Sequence, residues 1–133
     1  MDEGLISELI ERAAKARKNS YAPYSCFSVG AALLCSDGSI YTGVNVENAS
    51  YPVGICAERS AFAGAVSDGK REFKAIAIIG GRKKTVPTFP CGMCRQFMSE
   101  LAGEDFSVIT ELSNGKYKVS RLCELLPAGF VLE

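Results

Sequence analysis

Residues 56–101 decide the fold, and they read CAERSAFAGAVSDGKREFKAIAIIGGRKKTVPTFPCGMCRQFMSEL. Small and apolar residues over 57–67 suit a buried helix, and the apolar run 73–79 is typical of a short strand. Residues 80–90 are expected to form a loop, and residues 91–101 indicate a second helix. Helices that alternate with strands in this way indicate crossover connections between parallel strands of one sheet.

The segment before residue 56 predicts one more helix and a hairpin. Apolar residues recur at helical spacing over residues 4–18. Residues 27–34 and 39–46 are typical of two strands, and Ser-Asp-Gly at 36–38 is a hairpin turn signal between them. We therefore expect these two strands to pair in an antiparallel arrangement.

The segment after residue 101 predicts two strands, at 106–112 and 117–119, and a short helix at 121–126. The resulting order of elements is α-β-β-α-β-α-β-β-α. We predict an α/β fold, a three-layer α/β/α sandwich with a mixed sheet of about five strands. A chain of 133 residues is expected to form a single domain over residues 1–133.

Charge and hydropathy exclude several classes of partner. Lys and Arg total 15, as do Asp and Glu, so net charge predicts no attraction to nucleic acid or to anionic lipid. No apolar run is long enough to span a bilayer, and the acidic, amphipathic start lacks the features of a signal peptide. We expect a cytoplasmic protein with no nucleic-acid partner and no membrane partner.

The chain contains no histidine, which excludes Ser-His-Asp triads, Cys-His proteases, HExxH metalloproteases and imidazole metal ligands. A metal would need ligands from Cys, Asp, Glu or the backbone. Six cysteines are present, and in a cytosolic protein a Cys-x-x-Cys pair indicates metal or redox chemistry rather than a disulfide. The six are Cys26, Cys35, Cys56, Cys91, Cys94 and Cys123.

Two short motifs carry the chemistry, CAER at residues 56–59 and PCGMCR at residues 90–95. Each places a cysteine at the start of a predicted helix, where backbone N–H groups and the helix dipole favour a thiolate. Cys91 and Cys94 lie one turn apart and can converge on one ion. If Cys56 joins them, three thiolates hold a zinc ion and leave its fourth position open, which is the pattern of a catalytic site.

Charged residues beside these cysteines suggest further roles. Three thiolates and one Zn²⁺ sum to a charge of −1, which Arg59 and Arg95 can offset. We expect at least Arg59 to donate hydrogen bonds to a ligand sulfur. For Arg95 a surface salt bridge is the alternative. Glu58 alone would only complement the helix dipole, but beside a three-cysteine site a carboxylate favours proton transfer at the open position.

A Cys-x-Glu motif followed about thirty residues later by Pro-Cys-x-x-Cys is typical of zinc nucleobase deaminases. At these residues the sequence resembles the cytidine deaminase family, in its short, three-cysteine, homotetrameric branch. The resemblance extends from the YAPYS stretch at 21–25 to the LLP stretch at 125–127. It implies one zinc ion per chain, bound by the three motif cysteines, with Glu58 as the proton shuttle.

The resemblance also implies a substrate and the residues that bind it. Asn45 and Glu47 would hold the ribose hydroxyls, and a side chain that accepts beside one that both donates and accepts suits a sugar. Phe27 would pack on the pyrimidine, and the N–H of Ala57 would help to place the base. Phe130 would close the site of a neighbouring subunit in a homotetramer with sites at subunit interfaces.

The implied reaction is hydrolytic deamination of cytidine and 2′-deoxycytidine to uridine and 2′-deoxyuridine with release of ammonia, as in pyrimidine salvage. One alternative is deamination of blasticidin S or another aminopyrimidine nucleoside. Polynucleotide editing would need a basic, aromatic-lined channel, which zero net charge and the absence of Trp disfavour.

A non-enzymatic alternative is a structural zinc-binding module. Its fourth ligand would come from Cys26, Cys35 or Cys123. None of these three has a paired spacing. We expect them instead to be small buried apolar residues or free thiols.

Overall fold

The chain folds into helices and strands in the order expected from the sequence. The computed structural model describes residues 1–133, with the backbone alone at residue 114. The helices are α1 (Glu3–Arg17), α2 (Ala57–Ser67), α3 (Gly92–Ala102) and α4 (Leu122–Leu125). The strands are β1 (Ser28–Cys35), β2 (Ile40–Val44), β3 (Phe73–Gly81), β4 (Thr85–Val86), β5 (Ser107–Glu111) and β6 (Tyr117–Arg121).

The strands form one mixed sheet in the order β2-β1-β3-β5-β6. β1 pairs antiparallel with β2 and β3, β3 pairs parallel with β5, and β5 pairs antiparallel with β6. The mixed sheet of about five strands is confirmed. The two-residue β4 is an addition, because it pairs with β3 inside the segment 80–90 that the sequence assigns to a loop.

Alternating side chains of the sheet build a hydrophobic core on each face. On β3, Ile76 and Ile78 pack with residues of α2 and α3, whereas Ala75 and Ala77 pack with residues of α1. Successive side chains of a strand point to opposite faces, so a strand that is apolar throughout is covered on both sides. This arrangement is the predicted α/β/α sandwich.

Two glycines let helices lie directly on the sheet. A Cβ at Gly30 of β1 would lie 2.1 Å from the carbonyl oxygen of Ala13 in α1. A Cβ at Gly43 of β2 would lie 2.4 Å from the Ala61 nitrogen and 2.5 Å from the carbonyl oxygen of Ala57, both in α2. Contacts this close exclude any side chain at the two positions. The start of α2 therefore packs directly on the backbone of β2.

Long apolar helices are absent from the described part of the chain. Among these residues, no helix is both long enough and apolar enough to cross a membrane.

Candidate active site

The three motif cysteines meet at the starts of two helices. Cys56 is the N-cap residue of α2, and Cys91 is the N-cap residue of α3. The Cys91 Sγ accepts a hydrogen bond from the backbone N–H of Cys94 at 3.4 Å. The Sγ atoms of Cys56 and Cys91 lie 3.8 Å apart, and all three Sγ atoms lie within 4.8 Å of one another.

This geometry fits a zinc ion. Zinc–thiolate bonds of about 2.3 Å place the sulfur atoms of a tetrahedral site about 3.8 Å apart. The separation of the Cys56 and Cys91 sulfurs is 3.8 Å. Thiolates bind zinc well, and they also bind Cu(I) and the iron of Fe–S clusters. The cluster contains three cysteines, so it can hold the ion and leave one coordination position for water or substrate.

Hydrogen bonds shift the pKa values of Cys56 and Cys94 in opposite directions. Three hydrogen bonds lower the pKa of Cys56 to about 5. The largest effect comes from the Cys94 thiol, and smaller ones come from Arg59 and Cys91. The pKa of Cys94 is raised, because its thiol donates to Cys56 and is buried. Arg59 Nη2 donates to the Cys56 Sγ at 3.7 Å, as the sequence predicts for this arginine. Metal binding therefore has to displace the Cys94 proton.

Glu58 lies under the cysteine cluster. It is the second residue of α2, and only 4% of its surface is exposed. Burial raises the pKa of Glu58 to about 7, and its carboxyl group interacts with the Cys94 thiol. A carboxyl group with a pKa near neutrality can both take and give a proton.

A pocket of about 470 Å³ opens beside Cys56, which is the size of a small-molecule site. Its lining includes both residues that the resemblance assigns to the sugar, Asn45 and Glu47. The residues that line it are Tyr24, Ser25, Asn45, Val46, Glu47, Asn48, Tyr51, Pro52, Gly54, Ile55, Cys56, Arg59 and Met93.

The side chain of Asn45 is largely committed to the protein. Its Oδ1 accepts from the Val29 N–H at 2.9 Å and from the Ser20 hydroxyl, and its Nδ2 donates to the Phe27 carbonyl at 2.8 Å. A primary amide has two donor hydrogens and two acceptor positions. Asn45 therefore keeps one N–H for a ligand.

The carboxylate of Glu47 is held from the loop before β1. Its Oε1 accepts from the N–H groups of Tyr24 at 3.0 Å and Ser25 at 3.1 Å, and its Oε2 accepts from the Ser25 hydroxyl. The Ser25 hydroxyl and then the backbone N–H groups keep the pKa of Glu47 below its ordinary value. One acceptor position of Oε2 remains for a ligand.

Phe27 and Phe130 do not line this pocket within one chain. The half-buried Phe27 ring lies against β3, where a Cβ on Gly80 would be 3.0 Å from Phe27 Cε1. Phe130 is 69% exposed. Its backbone N–H and carbonyl both bond the amide of Gln96, at 3.0 and 2.9 Å. Ala57 is fully buried directly after Cys56.

Arg95 contacts backbone carbonyls rather than sulfur. Its Nε donates to the Pro90 carbonyl and its Nη1 to the Leu125 carbonyl, each at 2.7 Å. It thus ties the residue before Cys91 to the end of α4. The sequence reasoning did not identify this link, nor the bonds of Ser20 and Ser25. The YAPYS stretch at 21–25 was the available signal for Ser25.

The remaining cysteines lie outside the cluster, and all six cysteines are free thiols. Cys35 is buried in the core, and Cys123 is half-buried in α4. Cys26 is exposed and has a left-handed backbone, with φ of 59°.

Three thiols at two helix starts, beside a pocket on a mixed sheet, define an α/β protein with a cysteine cluster suited to a metal ion. A sequence profile of the cytidine and deoxycytidylate deaminase zinc-binding region matches residues 5–110. The chain belongs to this family.

Similar proteins cover almost the whole chain. A cytidine deaminase of Halalkalibacterium halodurans is 47% identical over 125 residues, 94% of this chain and 93% of that protein. A cytidine deaminase of Sporosarcina psychrophila is 44% identical over 128 residues, 96% and 93% of the two chains. The crystal structure of cytidine deaminase from Burkholderia pseudomallei is 44% identical and has a TM-score of 0.87, with 98% of this chain and 100% of that chain covered.

Proposed function

We propose that this chain catalyses the zinc-dependent hydrolytic deamination of cytidine and 2′-deoxycytidine to uridine and 2′-deoxyuridine, with release of ammonia. The observation that carries this proposal is the convergence of Cys56, Cys91 and Cys94 above the buried Glu58, beside a pocket of nucleoside size. The relatives named cytidine deaminase, which are 44–47% identical over nearly the full chain, support it.

The cysteine cluster would hold one zinc ion per chain. When bound, the zinc supplies Lewis-acid activation of the water that attacks C4 of the base. Arg59, which donates to the Cys56 Sγ, offsets part of the negative charge of three thiolates. The N-termini of α2 and α3 add partial positive charge at the same place.

Glu58 would move the protons. It takes a proton from the attacking water and delivers it to N3 of the base, and it then carries a proton to the departing amine. The balance is one water consumed and one ammonia released for each cytidine. Burial in the first turn of α2 keeps Glu58 out of bulk water, so its proton is passed to the substrate rather than to solvent.

Asn45 and Glu47 would bind the sugar. Asn45 has one free N–H, and Glu47 has one free acceptor position, because the other groups are bonded within the chain. A hydroxyl group accepts one hydrogen bond and donates another. The pair therefore matches a single ribose hydroxyl that bridges the two side chains.

The other substrate contacts rest on the resemblance. Phe27 would pack on the pyrimidine and the Ala57 N–H would help to place the base. The exposed Phe130 ring, held in place through its backbone by Gln96, would close the site of a neighbouring chain in a homotetramer. Zero net charge favours a free nucleoside over a polynucleotide as the substrate.

The test is ammonia release from cytidine by the purified protein, with zinc measured on the same sample. We expect release that scales with zinc content and stops on chelation. Zinc-loaded protein that leaves cytidine and deoxycytidine unchanged would overturn the proposal. Turnover of blasticidin S or another aminopyrimidine nucleoside would then identify the alternative deaminase, and four protein ligands on the metal would identify a structural site.

A further inference from the structure

We propose that Ser25 is a positioning residue that fixes the sugar-binding carboxylate of Glu47 relative to the backbone of Phe27. This inference rests on the proposed function, because it concerns how the same site selects a substrate with a sugar hydroxyl. Nothing in the reaction chemistry requires a serine here, and the role follows from the contacts that Ser25 makes.

Ser25 contacts both oxygens of Glu47. Its backbone N–H donates to Oε1 at 3.1 Å, and its hydroxyl donates to Oε2. A carboxylate that is bonded on both oxygens cannot rotate about its terminal torsion without breaking a charge-assisted hydrogen bond. Ser25 therefore determines which way the free acceptor position of Glu47 faces.

The same hydroxyl also reaches Phe27. The Ser25 Oγ accepts from the Phe27 backbone N–H at 2.9 Å while it donates to Glu47. Phe27 in turn accepts from the Nδ2 of Asn45 through its carbonyl. One serine hydroxyl thus links the two side chains proposed to bind the sugar through the backbone of the residue proposed to contact the base.

The surrounding backbone keeps Ser25 in this position. Cys26 has φ of 59°, a left-handed conformation that a non-glycine residue adopts only when neighbouring contacts impose it. The Cys26 N–H donates to the Ala22 carbonyl at 3.0 Å, and Arg82 Nε donates to the Ser25 carbonyl at 3.3 Å. These two bonds hold the backbone around Ser25 and so keep its side chain beside Glu47.

Removal of the hydroxyl should weaken the sugar contact and leave the chemistry intact. In Ser25→Ala, Oε2 of Glu47 loses its bond within the chain and the Phe27 N–H loses its acceptor. The carboxylate is then held through Oε1 alone, by the N–H groups of Tyr24 and residue 25, and Oε2 can move away from the sugar. Cys56, Cys91, Cys94 and Glu58 keep their hydrogen bonds, because none of these bonds involves Ser25.

The experiment compares cytidine with 2′,3′-dideoxycytidine, which lacks the 2′- and 3′-hydroxyls of the sugar and keeps the 5′-hydroxyl. We expect Ser25→Ala to raise the KM for cytidine about tenfold, the size of one lost hydrogen bond to a charged group, with kcat within about twofold. The KM for 2′,3′-dideoxycytidine should stay within about twofold of its wild-type value. Ser25→Thr, which retains a hydroxyl, should have a KM for cytidine close to the wild-type value.

The matched control is Ser39→Ala. The Ser39 hydroxyl also donates to a carboxylate, that of Asp37 at 2.6 Å, in an exposed turn that does not line the pocket. Both substrates should keep their wild-type constants in this variant. If Ser25→Ala does not fold, Ser25→Cys provides the same comparison with a side chain of similar shape and weaker hydrogen bonding.

An equal change for the two substrates, or no change for either, would overturn the role of Ser25. Binding of uridine and of 2′,3′-dideoxyuridine by calorimetry repeats the comparison without turnover. Wild-type protein that neither binds nor deaminates cytidine would overturn the proposed function, and this inference with it. An active wild type with an unselective Ser25→Ala variant would overturn this inference alone.

Discussion

The Sγ atoms of Cys56 and Cys91 lie 3.8 Å apart although 35 residues separate them in the chain. Each is the residue just before a helix, and the two helices pack on the same face of the sheet. A metal ion at this point would join α2 to α3. Its loss would release the starts of both helices, so metal binding would be connected to the position of Glu58 and to local stability.

Loss of one ligand should remove the metal. In Cys91→Ala only two of the three thiols remain. We therefore expect zinc affinity to fall by more than the 10–100-fold that is typical when a residue hydrogen-bonded to a metal ligand is replaced. Competition with a chelating dye measures this affinity. Cys123→Ala, which changes a half-buried thiol outside the cluster, is the control and should bind about one zinc per chain.

Replacement of the buried carboxylate should separate catalysis from metal binding. Glu58→Gln keeps the shape of the side chain but cannot carry a proton, so we expect kcat for cytidine to fall about 10²–10⁴-fold. Zinc content should not change, because the three cysteines remain in place. Glu11→Gln, at an exposed position of α1, should behave as wild type. Normal turnover by Glu58→Gln would remove Glu58 from the mechanism.

Arg95 should matter for stability in the presence and in the absence of zinc. Arg95→Lys cannot reach both the Pro90 and the Leu125 carbonyls, so we expect the free energy of unfolding to fall by about 1–3 kcal/mol. The same loss should occur in zinc-free protein, since the partners are carbonyls and not sulfurs. Urea unfolding followed by circular dichroism measures both values.

The control for this variant is Arg121→Lys, at an arginine side chain that is 60% exposed. It should change the stability by less than about 0.5 kcal/mol. A loss for Arg95→Lys that appears only in the zinc-loaded protein would contradict the carbonyl-anchoring role and favour a contact with the metal ligands.

Two glycines should respond to alanine in opposite ways. Gly30→Ala places a methyl group against the backbone of α1, so we expect a loss of at least about 3 kcal/mol, the upper end of the usual range for overpacking. Gly64→Ala lies in α2 with no atom within 4 Å of the new Cβ, so it should gain about 0.5–1 kcal/mol from helix propensity. Thermal and urea unfolding at fixed zinc concentration compare the pair, and equal effects would contradict the close contact of α1 with β1.

Local patterns were sufficient to predict most of the fold. Helical periodicity over residues 4–18 and the unbroken apolar run in β3 depend on nearby residues only, and they located elements correctly to within one or two positions. The short β4 was not predictable. Thr85 and Val86 form a strand only because Gly80 and Gly81 lie opposite them, and this pairing is determined by tertiary structure.

The features of the site also fall into two groups, those predictable from nearby residues and those that depend on the tertiary structure. The cysteine motifs predict a metal cluster, because the spacing within each motif and its place at the start of a helix can be read from nearby residues. Sequence adjacency to Cys94 suggested a sulfur contact or a surface salt bridge for Arg95, but its second partner, Leu125, lies 30 residues away. The hydrogen bonds of Asn45 to Ser20, Val29 and Phe27 likewise depend on two distant segments, and no sequence motif predicts them.

The bond from Arg95 to Pro90 also bears on how the chain can vary over evolution. Arg95 holds the Pro90 carbonyl from the helix side, so the position of Cys91 does not depend on the path of the preceding residues. Residues 82–89 are mostly exposed, and loops of this kind tolerate changes in length at low entropic cost. Insertions and deletions can therefore accumulate after β4, between Val86 and Pro90, while Cys56, Cys91 and Cys94 keep their spacing.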